Sequence, residues 1–139
     1  MEHKRPPEGT IGALQGVAPA GLSAVLKIIE AWDLDDREQQ AVLGLADARA
    51  LARWRLGPPR KFRRDHLERL SHLLGIYRCL HMLLPDPSAA NGWIKRPNSA
   101  PLFRGARALD LMCSGGIPGL FMVRRYLEEQ VEGYFPRHP

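Results

Sequence analysis

Nucleophiles, acids, bases and metal ligands all occur in this chain, but their spacing assembles no reaction centre. Cys79 and His81 stand two apart in an apolar, helix-patterned run, so their side chains point to nearly opposite sides and cannot share a metal. His66 and His72, six apart, are equally poorly disposed. Ser114 lacks the Gly-x-Ser-x-Gly elbow that exposes a hydrolase nucleophile. Gly115-Gly116 and Gly119 follow no strand pattern and bring no P-loop lysine, so they do not read as a phosphate cradle. Glu128 and Glu129, adjacent on a helix, read as a solvated face. The expectation is a protein that is not an enzyme, with no metal and no cofactor.

What the chain offers instead is guanidinium. Lysine and arginine number 20 against 15 acidic residues, a net charge of +5, with a pI near 9.7. Such a balance suits an anionic partner, either nucleic acid or an acidic protein surface. The arginines are also grouped. Arg49, Arg53 and Arg55 lie in "DARALARWRLG", and Arg60, Lys61, Arg63 and Arg64 follow in "RKFRR". The planar fork of arginine matches guanine edges and phosphates alike, and a basic run beside it suits phosphates.

Helices must position these groups. Leu22, Val25, Leu26, Ile29 and Trp32 carry a helical period, and a short helix is expected from about Asp35 to Leu43, ended by Gly44. Asp47 is a plausible N-cap for a third helix that stops at Gly57-Pro58-Pro59. A helix, a glycine turn and a second short helix form the plan of a helix-turn-helix. Leu45, Leu51 and Trp54 then face inward, and Arg49, Arg53 and Arg55 outward. The longest helix is expected from about Arg64 to Leu84. Its broad apolar stripe (Leu67, Leu70, Leu74, Tyr77, Leu80 and Leu84, widened by Leu73, Ile76 and Leu83) suggests a homodimer interface. Pro85 and Pro87 end it. A short helix (about Ala106–Cys113) and a last one from Pro118 to about Glu132 follow, and Gly133 reads as a stop. No segment alternates with the period of a strand, so the chain is expected to be all-α.

Apolar residues make up 45% of the 139, enough for one domain with a core. The two cysteines give no disulfide framework, no apolar run is long enough to span a membrane, and "MEHKRPPEGT" has no apolar h-region. A cytoplasmic setting without membrane contact is therefore expected. Four segments follow: a loose arm over 1–19, rich in Gly and Pro; a head over 20–59; a connecting and dimerising helix over 60–90; and a C-terminal region over 91–139.

That last region contains "WIKRPNSAPLFRGARALDL", which has the length of a loop but unusually large apolar and aromatic side chains. Trp93, Pro97-Asn98, Phe103-x-Gly105, Leu109-Asp110-Leu111 and Ser114-Gly115, taken in order and followed by a closing helix, resemble the C-terminal half of Xre/MbcA/ParS-type antitoxins. Trp32, Leu43-Gly44-Leu45 and Arg53-Trp54 are similar to their Xre-type head. Ala108 departs from the usual Pro before "LDL", and one extra residue separates Gly44 from Leu51 and Trp54. The resemblance implies a partner, a RES-type toxin that degrades NAD or transfers its ADP-ribose, whose cleft the antitoxin blocks. It also implies a hetero-oligomer with that toxin and repression of the pair's own operator DNA. The residues expected to meet the toxin are Trp93, Asn98, Phe103 and Arg104, the carboxylates Glu128, Glu129 and Glu132, and the aromatics Tyr134 and Phe135 as a plug. Those expected on DNA are the seven cations of 49–64 named above. The rival reading is a stand-alone helix-turn-helix regulator.

Overall fold

The computed structural model describes residues 8–135, with side chains described from Gln15 onward. In chain order the helices are α1 (Glu8–Ala31), α2 (Asp36–Leu43), α3 (Ala48–Leu56), α4 (Arg64–Leu83), α5 (Pro87–Gly92), α6 (Ala108–Ser114) and α7 (Gly116–Tyr134), with a 3-10 turn at Trp93–Lys95. Among the described residues the only extended pairing is an isolated antiparallel bridge between Pro97 and Arg107. The architecture is all-α, as the periodicities predict.

The period of α4 explains its place at the centre. Leu73, Ile76 and Leu80 are wholly buried, each such side chain contributing about 1.5–3 kcal/mol by leaving water. α7 packs along one side of α4 and α1 along another, with α5 against its end. Most of the broad stripe that suggested a homodimer is thus covered within the chain, while Leu74, Tyr77, Leu83 and Leu84 stay half-buried.

Three local expectations are corrected. Residues 8–19 are not a loose arm but the first half of α1, which runs through Pro19. They are ordered because Gln15 clasps the backbone of Phe62: its amide donates to Phe62 O at 2.6 Å and accepts from Phe62 N–H at 3.0 Å, while Ala18 is buried. The rest of the expected arm lies outside the described residues. Next, α7 starts at Gly116 rather than Pro118 and passes through Gly133 to Tyr134. Glycine lowers helix propensity by only about 1 kcal/mol, too little by itself to halt the helix, which runs one residue beyond Gly133. Finally, "PDPSAANG" forms α5, where the Asp86 carboxylate accepts from Ala89 N–H at 3.1 Å and Pro87 opens the helix.

Candidate functional site

The head is assembled by polar ties. α2 begins with a capping box: Asp35 accepts from Glu38 N–H at 2.8 Å, and Glu38 accepts from Asp35 N–H at 2.9 Å. It ends at Gly44, whose φ of +71° favours glycine. Asp47 caps α3 by accepting from Ala50 N–H at 2.8 Å. Val42, Leu43, Leu51 and Trp54 close the small core between the two helices. α4 braces the turn. Arg69 lies over Gly44 and donates to Ala41 O at 3.0 Å, a cation on the negative end of α2; burial lowers its pKa. One turn earlier, the His66 ring meets the edge of Trp54 at 4.9 Å. Burial lowers its pKa too, against the opposing pull of Asp65.

This frame sorts the expected DNA contacts. Arg49 and Arg53 are exposed on the outer face of α3, and Arg60, Lys61 and Arg63 are exposed on the connection that follows. Arg64, half-buried, opens α4. Arg63 keeps a loose ion pair with Asp65 at 3.6 Å. Arg55 behaves differently from its neighbours. Its guanidinium turns back to α2, donating to Asp36 at 2.8 Å and to the Gln39 side-chain oxygen at 2.7 Å. Gln39 itself is buried and donates to Leu34 O. Arg55 therefore ties α3 back to α2; counting outward positions does not reveal this, because the fork is long enough to fold back.

The C-terminal half is assembled mainly by rings. The segment from Trp93 to Arg107 closes as a clasp: Asn98 N–H donates to Ala106 O at 3.0 Å, and Gly105 N–H donates to Asn98 O at 2.7 Å. Asn98 also turns its side-chain oxygen to Ala100 N–H at 2.9 Å. It holds the loop together rather than facing fully outward. Phe103 is buried and meets Trp93 and Tyr126 edge-on at 5.9 and 5.2 Å, while Trp93 stacks on Tyr126 at 6.2 Å. Tyr126 belongs to α7, so the clasp is pinned to α7 as well as to α4. Sequence reasoning missed Tyr126, although its place beside Leu127 widens the stripe of the last helix. Of the clasp's cations, Lys95 reaches Asp33 in the head, Arg96 caps Ala89 O and Arg107 pairs with Asp110 at 2.7 Å. Arg104 alone stays at the exposed tip, in the left-handed region with φ of +50°.

At the far end, α7 stands between two depressions. One is a groove of about 410 Å³ where Arg78, Arg124 and Arg125 face Glu128, Glu129 and Glu132. Its charges partly satisfy one another, since Arg124 pairs with Glu128 at 3.3 Å and donates to Ser71. Glu129 and Glu132 are exposed. The other is an apolar cleft beside Trp93. Tyr134 and Phe135, 6.1 Å apart, are 75% and 54% exposed and so are not core.

The groups first weighed for catalysis are engaged in structure. Ser114 donates to Asp110 O at 2.7 Å, and His72 lies buried against the edge of Phe121. The Cys113 thiol is pushed up to about 11, by burial first and then by Glu38 and Asp110. Among the described residues no three His, Cys, Asp or Glu gather as a metal set, and no helix is long and apolar enough to cross a membrane.

Comparison with known proteins matches both halves. Residues 13–75 fit the antitoxin Xre-like helix-turn-helix domain, and residues 79–133 fit the antitoxin Xre/MbcA/ParS C-terminal toxin-binding domain. The chain belongs to the Xre/MbcA/ParS antitoxin family. It is also 36% identical over 115 residues to an uncharacterized protein of Sinorhizobium fredii, y4oB, with 83% of this chain and 87% of the relative covered. No solved structure matches it. For an Xre/MbcA/ParS antitoxin the two surfaces have separate uses: the helix-turn-helix is the DNA-binding unit, and the clasp with α7 lies in the toxin-binding unit. The boundary between the two matches falls inside α4, so one helix serves both.

Proposed function

We propose that this chain is the antitoxin of a RES-type toxin acting on NAD, by degrading it or by transferring its ADP-ribose, and that it silences the toxin by occupying the NAD cleft. The observation that carries this reading is the exposure of Tyr134 and Phe135 at the end of the toxin-binding unit. A pocket that takes nicotinamide and adenine is largely apolar with few polar groups, which suits aromatic plugs. Glu129 and Glu132 beside them offer carboxylates to the arginines that would otherwise hold the diphosphate, in charge-assisted hydrogen bonds. Glu128 is the lesser contributor, being tied to Arg124. Arg104 at the clasp tip adds a contact, and Trp93, Phe103 and Asn98 set the surface from which it projects.

Operator DNA is met by Arg49 and Arg53 in the groove, with Arg60, Lys61, Arg63 and Arg64 on phosphates. Arg55 acts by fixing the pose of α3. A homodimer belongs to this reading, because helix-turn-helix proteins read paired half-sites about one helical turn apart. Of the α4 stripe, only the half-buried residues such as Leu83 and Leu84 are left to serve as its face.

The test is Tyr134→Ala with Phe135→Ala, co-expressed with a RES-type toxin from the same genome. The expected result is a toxin that is still captured by the antitoxin but again consumes NAD. Full inhibition by the double variant would exclude the plug.

A further inference from the structure

We infer that the apolar cleft beside Trp93 is the seat of one apolar side chain from the toxin, so that each protein inserts a group into the other. The inference rests on the toxin being the partner and on the proposed plug, but not on the toxin's reaction. The cleft is floored by Leu80, walled by Leu83, Leu84, Trp93 and Tyr126, and has Tyr134 at its mouth. Leu80 is fully buried, whereas Leu83, Leu84, Trp93 and Tyr126 are each only half-covered by the chain's own packing. These are groups whose burial is favourable and incomplete.

Size and composition decide what fits. The cavity is about 220 Å³, below the range of roughly 300–1,000 Å³ typical of sites for cofactors and other small ligands. It is large enough for one bulky side chain of a docking protein. None of its lining residues is charged, so it holds no cation to meet an anion such as DNA phosphate. Its rings instead match the buried apolar anchor that commonly dominates a protein interface, set inside a more polar rim. Here the polar part of the rim is Gln130 on α7.

Two observations point to the toxin as the occupant. Every residue of the floor and walls lies within the stretch 79–133 that matches the toxin-binding domain. The mouth residue Tyr134 is itself 75% exposed and makes the cleft continuous with the proposed plug. The clasp gains a purpose from this: α5 and the turn at Trp93 hold one ring as a wall, while Phe103 behind it keeps that ring from swinging into the gap.

The test uses the full chain and a RES-type toxin from the same genome, with Gln130→Trp to fill the cleft from its exposed rim and Leu83→Asp to place a carboxylate in its wall. Binding is measured by calorimetry, fold by thermal melting, and the head by operator gel shift. The expected result is toxin affinity at least tenfold weaker for Gln130→Trp, with melting and gel shift unchanged, and a greater loss for Leu83→Asp. Parental affinity in Gln130→Trp would overturn the cleft while leaving the toxin partnership standing. If that variant instead changed the chain's oligomeric state and left toxin affinity intact, a second copy would be the occupant and the proposal would fall. A parental chain that captures no toxin would remove the partnership itself, and the cleft's role with it.

Discussion

The head and the C-terminal half are closed by different forces, and the difference follows what each presents. Around the apolar core of the head the added ties are polar and directional: a capping box on α2, Arg55 of α3 on Asp36 and Gln39, Arg69 of α4 on Ala41 O, and Gln15 of α1 on the Phe62 backbone. Hydrogen bonds of this kind fix angles, and their net worth is modest, about 0.5–1.5 kcal/mol each. They leave the outer face of α3 free for charge. In the C-terminal half, Trp93, Phe103 and Tyr126 supply area and fix position by ring contact. Gly119 lets α7 approach α6 so closely that a Cβ there would sit 2.4 Å from Leu111 O. A DNA reader needs orientation; a surface that grips a protein needs apolar area with a rigid back.

Phe103→Ala should break the comparison most forcefully. Removing a buried aromatic costs about 3–5 kcal/mol, and here it also frees Trp93. The expected outcome is a clearly lowered melting temperature with toxin capture lost, checked by calorimetric melting and pull-down. A chain that melted normally would show that the ring cluster does not hold the clasp.

Arg49→Ala combined with Arg53→Ala should sharpen it from the other side. Operator affinity should fall by about 2–4 kcal/mol, since each base or phosphate contact is worth roughly 1–3. Melting and toxin capture should stay unchanged. Gel shifts at several salt concentrations check both the loss and its electrostatic origin, and an unaltered shift would show that α3 does not enter the groove.

Acid should produce the smallest effect and separate the halves by pH. Burial depresses the His66 pKa, so the unfolded chain binds its proton more readily. Its contribution to stability is present above the ordinary value of 6.5 and is lost as pH falls below it. Asp110, depressed first by its hydrogen bonds from Arg107, follows the same sign but only below its ordinary 3.8. The head should therefore soften at mildly acidic pH while the Arg107–Asp110 joint holds. Melts of the parent and of His66→Phe between pH 7.5 and pH 5 test this. The parent should lose melting temperature over that range and the variant should lose less; parallel curves would remove His66 from the account.

Much of this was legible in the chain. The period of α4, the Asp35 and Asp47 caps and the stop at Gly44 are local signals, written by neighbouring residues, and the structure keeps them within a residue or two. The ordered motif from Trp93 to Gly115 carried the family. Long-range consequences were not legible. The first half of α1 looked too poor in apolar groups to order, and Gln15 reaching across to Phe62 offsets that deficit. Gly133 looked like an end, but α7 runs through it to Tyr134, in open space where the glycine costs little.

The sequence by itself determined that the protein is helical, where most of its helices begin and end, and that its cations gather in the head. Those properties depend on spacing and on residues within a turn or two of one another. Tertiary structure decided which outward arginine is free. Arg49, Arg53 and Arg55 share one short helix, yet only Arg55 has Asp36 and Gln39 within reach. It also decided that α1 and α7 cover most of the wide stripe of α4, while its C-terminal end opens into an apolar cleft beside Trp93. Apolar pattern along a chain fixes how much surface must be buried; the crossing of helices fixes what is left over.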